Sequence, residues 1–228
     1  MTTRRDFLVA GAVAAVVPAV ASAATPKPGV SAAALAFDVV GFNALLDKEA
    51  QHKHLFASVR ADYGEVLSAM RSTLNAYSEI GIPASQVRPV AVFYHGASIA
   101  LGFNDAMWNR YFLPLARSKS TAAGHAAEDL AAMIDAKTHG NPCMKRQGGE
   151  RDSSIPALIA DADAHFFVCN NAALGFSDLL SKITKTKATD VYQQLTQNLV
   201  PNAILVPAGV WAVHAIQQRE YTLLQTSL

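Results

Sequence analysis

Four short apolar runs alternate with stretches of helical periodicity, and a fifth run closes the chain. This pattern constrains the fold more than any other feature. The runs are HKHLFASV at 52–59, Val90–Tyr94, Ala164–Cys169, AILVP at 203–207 and REYTLLQT at 219–226. Runs this short and this rich in apolar residues read as strands buried on both faces. After the first run, Val66, Leu67, Met70, Leu74, Tyr77 and Ile80 recur on one helical face. Asp62 is placed to cap that helix, and Gly81 and Pro83 to end it. After the second, Asn104 and Asp105 open a helical stretch through Trp108 and Phe112 that Pro114 is expected to break, and a further helix spans about Ala122–Lys137. Helices over Ala172–Ile183, over Tyr192–Leu199 and along GVWAVHAIQQ complete the set, with Pro207 in the first turn of the last. Strands separated by helices connect through right-handed crossovers. The expected fold is therefore α/β, a three-layer α/β/α arrangement around a five-stranded, mostly parallel sheet.

The first residues carry a different signal. TRRDFL at 3–8 resembles the twin-arginine export motif; an apolar run from Phe7 to Val20 follows, and Ala21-Ser22-Ala23 offers a small-x-small cleavage site. The run contains Pro18 and many alanines and falls short of the ~20 strongly apolar residues of a spanning helix. Residues 1–23 are thus expected to be a removable signal peptide, with the mature protein periplasmic and free of the membrane. Residues 24–50 read as an N-terminal arm and 51–228 as a single domain. The Gly-rich polar stretch THGNPCMKRQGGERDSS belongs to an insert at about 113–156 and is expected to be an exposed loop.

Charge excludes some functions. The net charge is +1, and removing Arg4, Arg5 and Asp6 with the signal brings it to zero. Nothing in that balance favours nucleic acid as a partner. No zinc-like ligand spacing, CxxC or haem-attachment motif occurs, so no metal or cofactor is assigned. His52 and His54 share one face of the first strand but lack an evident third ligand. The cluster Lys182, Lys185 and Lys187 reads as a solvated loop. Trp108, Tyr111 and Phe112 read as core, with a pocket beneath the insert as the alternative.

The two cysteines, Cys143 and Cys169, remain. Cys169 ends the third run just ahead of a helix, at the strand edge where open α/β sheets bind ligands. Backbone N–H groups and the positive end of the helix favour a thiolate there. Asn170 and Asn171 are candidate N–H donors to an anionic sulfur species. His95 ends the second run at the same edge and would meet Cys169 if the two strands are neighbours; Gly96 lets backbone approach a ligand. Three readings of Cys169 stay open: a small buried core residue, half of a disulfide with Cys143, or a reactive thiol with Cys143 as its resolving partner.

HKHLFASV, VAVFYHGASIALG, FFVCNNAALGF and, above all, VPNAILVPAGVWAVHAIQQREYTLLQT together resemble the DsrE-like sulfur-relay family over roughly Gln51–Thr226. The resemblance implies a three-layer domain with a five-stranded parallel sheet, assembled as a homotrimer or homohexamer. It also implies that Cys169, placed after the third strand, carries sulfane sulfur as a persulfide between a small sulfur-containing donor and an acceptor. The signal peptide, the arm and the insert depart from the small cytoplasmic members. The competing expectation is a non-catalytic oligomeric module that binds a small ligand or partner and uses its cysteines structurally.

Overall fold

A computed structural model describes residues 36–118 and 124–226. The signal-peptide reading, at 1–23, lies outside the described residues. The elements run α1 (Val39–Asp47), β1 (His52–Ser58), α2 (Glu65–Glu79), β2 (Val87–Phe93), α3 (Asp105–Met107), α4 (Leu113–Arg117), α5 (Gly124–Ala132), α6 (Ile155–Ala162), β3 (His165–Cys169), α7 (Asn170–Thr184), α8 (Ala188–Gln197), β4 (Ala203–Val206), α9 (Gly209–Gln217) and β5 (Thr222–Gln225). The five strands form one sheet in the order β4-β3-β2-β1-β5. Every pairing is parallel. Helices cover both faces, which gives the three-layer α/β/α architecture. No helix among the described residues is long and apolar enough to cross a membrane.

Strand periodicity explains the layers. Successive side chains point to opposite faces. Phe56, Ala91, Phe93, Phe166 and Val168 face the larger core, which α2 and α4–α8 complete. Leu55, Val90, Val92, Phe167 and Val206 face a smaller core closed by Phe42 and Leu46 of α1 and by Ala212, Ala215 and Ile216 of α9. The arm is therefore an integral layer through α1. Its Asp38 caps the helix by accepting the Gly41 N–H at 2.8 Å.

Several local expectations need correction. Asp62 does not cap α2. Asp62, Tyr63 and Gly64 all take positive φ (36°, 52° and 74°), so the chain turns through a left-handed 3-10 segment and the helix starts at Glu65 behind Gly64. Ile80 lies beyond that helix and is exposed. Pro114 does not break its helix. A π-helical turn over Trp108–Phe112 precedes it, and α4 continues to Arg117; a widened turn accommodates a residue that has no N–H to donate. The helix expected to reach Lys137 ends at Ala132. Pro207 stands ahead of the cap residue Ala208 instead of inside α9.

The insert differs most from expectation. Asn141 is fully buried, and its Nδ2 donates to the carbonyls of Leu101 (3.0 Å) and Phe103 (2.9 Å) while its Oδ1 accepts the Cys143 N–H (2.9 Å). Asp152 is buried and accepts from the N–H groups of Gly148 and Ser154. A hydrogen bond from the Ser154 side chain is the largest cause that holds its carboxyl well below the usual carboxylate range, and these N–H contacts add to it. Arg71 of α2 donates to the Asp152 carbonyl at 2.8 Å and to Asp161 at 2.7 Å. The polar stretch is exposed over 145–151, as expected, but is tied to the body on either side by these bonds, and it leads into α6, whose N-cap is Ser154. Trp108, Tyr111 and Phe112 are fully buried in the larger core. His52 and His54 pack around Tyr77, with the His54 Nε2 and the Tyr77 hydroxyl 2.8 Å apart.

Candidate functional site

The parallel register brings the strand ends to a common edge: Phe93 pairs with Val168, and Cys169 with Val206. At this edge a cleft of about 540 Å³ opens between the end of β2, the first turns of α7, the start of α9 and Ala126 of α5. That volume is in the range of small-molecule sites.

Cys169 sits at the base. It is the last residue of β3 and the N-cap of α7, with extended backbone (φ −70°, ψ 117°). Its Sγ accepts the Ala172 N–H at 3.4 Å, the place usually held by a Ser, Thr, Asp or Asn oxygen. The residue is 4% exposed, and it lines the cleft. The sulfur thus faces an N–H donor at the start of a 15-residue helix.

His95 lines the same cleft from the end of β2 and is exposed. Its backbone is pinned: its carbonyl accepts the Ser98 hydroxyl at 2.7 Å, and it heads the 3-10 turn Gly96–Gly102. β2 and β3 are neighbours, so the condition for His95 and Cys169 to share a site is met. Gly96 also lines the cleft; at φ +51°, a Cβ there would stand 2.7 Å from the Val59 carbonyl oxygen, so only glycine suits the turn.

The two asparagines separate. They are the first two residues of α7 instead of lying ahead of it. Asn171 is exposed and lines the cleft. Asn170 is buried and absent from the lining; its Oδ1 accepts the Tyr192 hydroxyl at 2.7 Å and ties α7 to α8. That bond engages its Oδ1 as an acceptor and sets the side chain apart from the cleft lining.

Cys143 lies elsewhere. Both cysteines are free, so the disulfide alternative is not formed. Cys143 lines a separate pocket of about 120 Å³ with Gly64, Leu67 and Met133, held in the 3-10 turn Pro142–Met144. Its Sγ is so close to Gly64 that a Cβ there would stand 3.0 Å away, and burial pushes the thiol up to about 12. Cys143 is half-buried and lines a different pocket from Cys169. Among the described residues no group of three or more His, Cys, Asp or Glu could hold a metal ion.

Sequence reasoning missed the walls. Tyr94, Ala126, Phe176, Leu179 and Val210 are among the cleft's apolar lining residues. Phe176 and Leu179 lie three apart on one face of α7, which helical periodicity shows. Ala126 and Val210 come from elements that only the tertiary fold delivers to this edge.

No family model matches this chain, and no curated protein matches it. Among solved structures, a protein of unknown function, MTH1491 from Methanobacterium thermoautotrophicum, is similar at a TM-score of 0.38 and 11% identity, over 76% of this chain and 98% of that one.

Proposed function

We propose that this protein handles sulfur: Cys169 accepts sulfane sulfur as a persulfide and passes it to an acceptor. The observation that carries the proposal is the Cys169 sulfur at the start of α7, facing the Ala172 N–H in the wall of a cleft it shares with His95. The resemblance of the strand-end segments to the DsrE-like family supports it. So does the export-type N-terminus, which would deliver the mature chain to the periplasm, and that family's habit of forming homotrimers or homohexamers extends the proposal to assembly.

In the first step the Cys169 thiolate attacks the outer sulfur of a donor. A bond forms between the two sulfurs, and the bond between that sulfur and the rest of the donor breaks. The electron pair leaves with the donor remnant, so no external oxidant or reductant is consumed. In the second step an acceptor nucleophile attacks the same outer sulfur, and Cys169 departs as thiolate. The N–H donor and helix start that Sγ faces serve attack and departure alike. His95, at the rim, hydrogen-bonds or protonates the donor remnant.

The test is a complete cycle. Reduced protein is loaded with a sulfane donor, desalted and weighed intact; a small thiol is then added and the mass followed. The expected result is a gain of one sulfur atom that disappears as the acceptor is persulfidated, and no gain in Cys169→Ser. A wild-type protein that never gains the sulfur refutes the proposal. The apolar walls favour a second reading, a module that holds a small ligand without any covalent step. Full biological activity in Cys169→Ser would select it.

A further inference from the structure

Resting on the sulfur-transfer reading of Cys169, we propose that the cleft takes an organic persulfide whose substituent is apolar, in preference to the inorganic thiosulfate dianion. Three observations point there.

The first is charge. No Lys, Arg, Asp or Glu stands among the described residues that line the cleft. A dianion drawn against apolar walls loses hydration and finds no lysine or arginine in the lining to replace it; His95, at the rim, is the lining side chain that can carry positive charge. The second is surface and size. Ala126, Phe176, Leu179 and Val210 present carbon to a cleft of about 540 Å³, far more room than a bare inorganic anion fills and enough for a small organic group. The third is where partial positive charge is found. α7 starts at Cys169, and α9 starts beside it at Gly209 with no side chain capping its first N–H groups. Both helix starts serve the reacting sulfur end of a donor, and neither reaches along the Phe176–Leu179 wall. The site therefore suits a molecule with one singly charged or neutral sulfur terminus and an apolar remainder.

The chemistry balances. The Cys169 thiolate attacks the outer sulfur of R–S–SH; the new S–S bond gives Cys169–S–SH. The old S–S bond breaks, its electron pair leaves on R–S⁻, and the thiol R–SH forms on protonation. Oxidation is exchanged between the two sulfur pairs and no further reagent is needed. The apolar group R is held in the cleft through the step and released afterwards as its thiol.

The test compares donors on the reduced full-length protein: thiosulfate, cysteine persulfide and benzyl persulfide at equal concentration, with Cys169 loading followed by mass. Each rate is divided by the rate of the same donor with free N-acetylcysteine, which removes differences in intrinsic reactivity. Burial of the benzyl ring is expected to raise the normalised rate about tenfold or more over thiosulfate. A Gly175→Arg variant adds a second arm. Gly175 lines the cleft, is exposed, and has nothing within 4 Å of where its Cβ would stand, so a cation can be placed there without a clash. That cation is expected to raise the thiosulfate rate and narrow the ratio. Equal normalised rates, or a thiosulfate preference, in the wild-type protein overturn this inference while leaving Cys169 as a sulfur acceptor. Failure of every donor to load Cys169 overturns the sulfur reading itself.

Discussion

Two glycines of the cleft wall respond to alanine in opposite senses. Gly209 begins α9, which packs on β2 at the end of the sheet. A Cβ built on Gly209 overlaps the Tyr94 Cβ and lies 2.7 Å from its Cα and 3.0 Å from its Cγ. Carbon pairs settle at about 3.5–4.0 Å, so α9 or the end of β2 must give way by an appreciable fraction of an ångström or more. Overpacking of this kind costs about 1–3 kcal/mol, and because Gly209 is the first residue of the helix, little of that is offset by helix propensity. For a domain of this size the melting temperature should fall by about 2–12 °C. Gly175 is the reverse case: it is inside α7, exposed, with open space at its Cβ position. Alanine there recovers about 0.5–1 kcal/mol of helix propensity and raises the melting temperature by about 1–4 °C. Thermal unfolding followed by circular dichroism, supported by urea midpoints, reads both. A Gly209→Ala protein as stable as the wild type would show that α9 does not press on Tyr94, and the cleft wall described above would be wrong.

Further expectations concern the insert and two histidines, half-buried His54 and buried His165. Asn141→Ala removes the partner of two buried carbonyls and of the Cys143 N–H; the urea midpoint should drop by the equivalent of about 2–4 kcal/mol, and a loss within about 0.5 kcal/mol would mean that the insert is not anchored there. His54 and His165 both titrate below the usual 6.5 in the folded protein, chiefly because burial disfavours the charged ring. The unfolded chain therefore binds more protons as pH falls below 6.5, and stability is lost on the acid side. Urea midpoints measured from about pH 7 down to about pH 5 should decline, and His54→Gln should flatten part of that slope; an unchanged slope would place the proton uptake elsewhere.

The sheet was readable because the central strands β2 and β3 are buried on both faces and so leave continuous apolar runs, as in Val90–Phe93 and Phe166–Cys169, while β1 shows such a run only in its second half. The position of Cys169 at a strand end followed from the same run. What the sequence did not show depends on contacts across the fold. Asp62 has the chemistry of a helix cap, but the chain turns left-handed through Tyr63 and Gly64 before α2 can start. Asn141 sits in a polar, glycine-rich stretch that looks solvated, and is buried because the carbonyls of Leu101 and Phe103 need its amide. Asn170 and Asn171 are adjacent and chemically identical; helix phase alone sends one to Tyr192 and the other to the cleft. The meeting of His95 with Cys169 required β2 and β3 to be neighbours, which pairing determines and local composition does not.

The two cysteines allow sulfur loading at Cys169 to be tested against an internal control in one molecule. Cys169 lines the cleft behind an N–H donor, and Cys143 is held in its own pocket with its thiol pushed up to about 12. The measurement is peptide mapping of the reduced protein after a short exposure to an organic persulfide near neutral pH, with both cysteines quantified at each time. Sulfur is expected on Cys169 first and in excess, with Cys143 unmodified until the protein unfolds. Sulfur appearing on Cys143 as fast as on Cys169, or on neither, would contradict it.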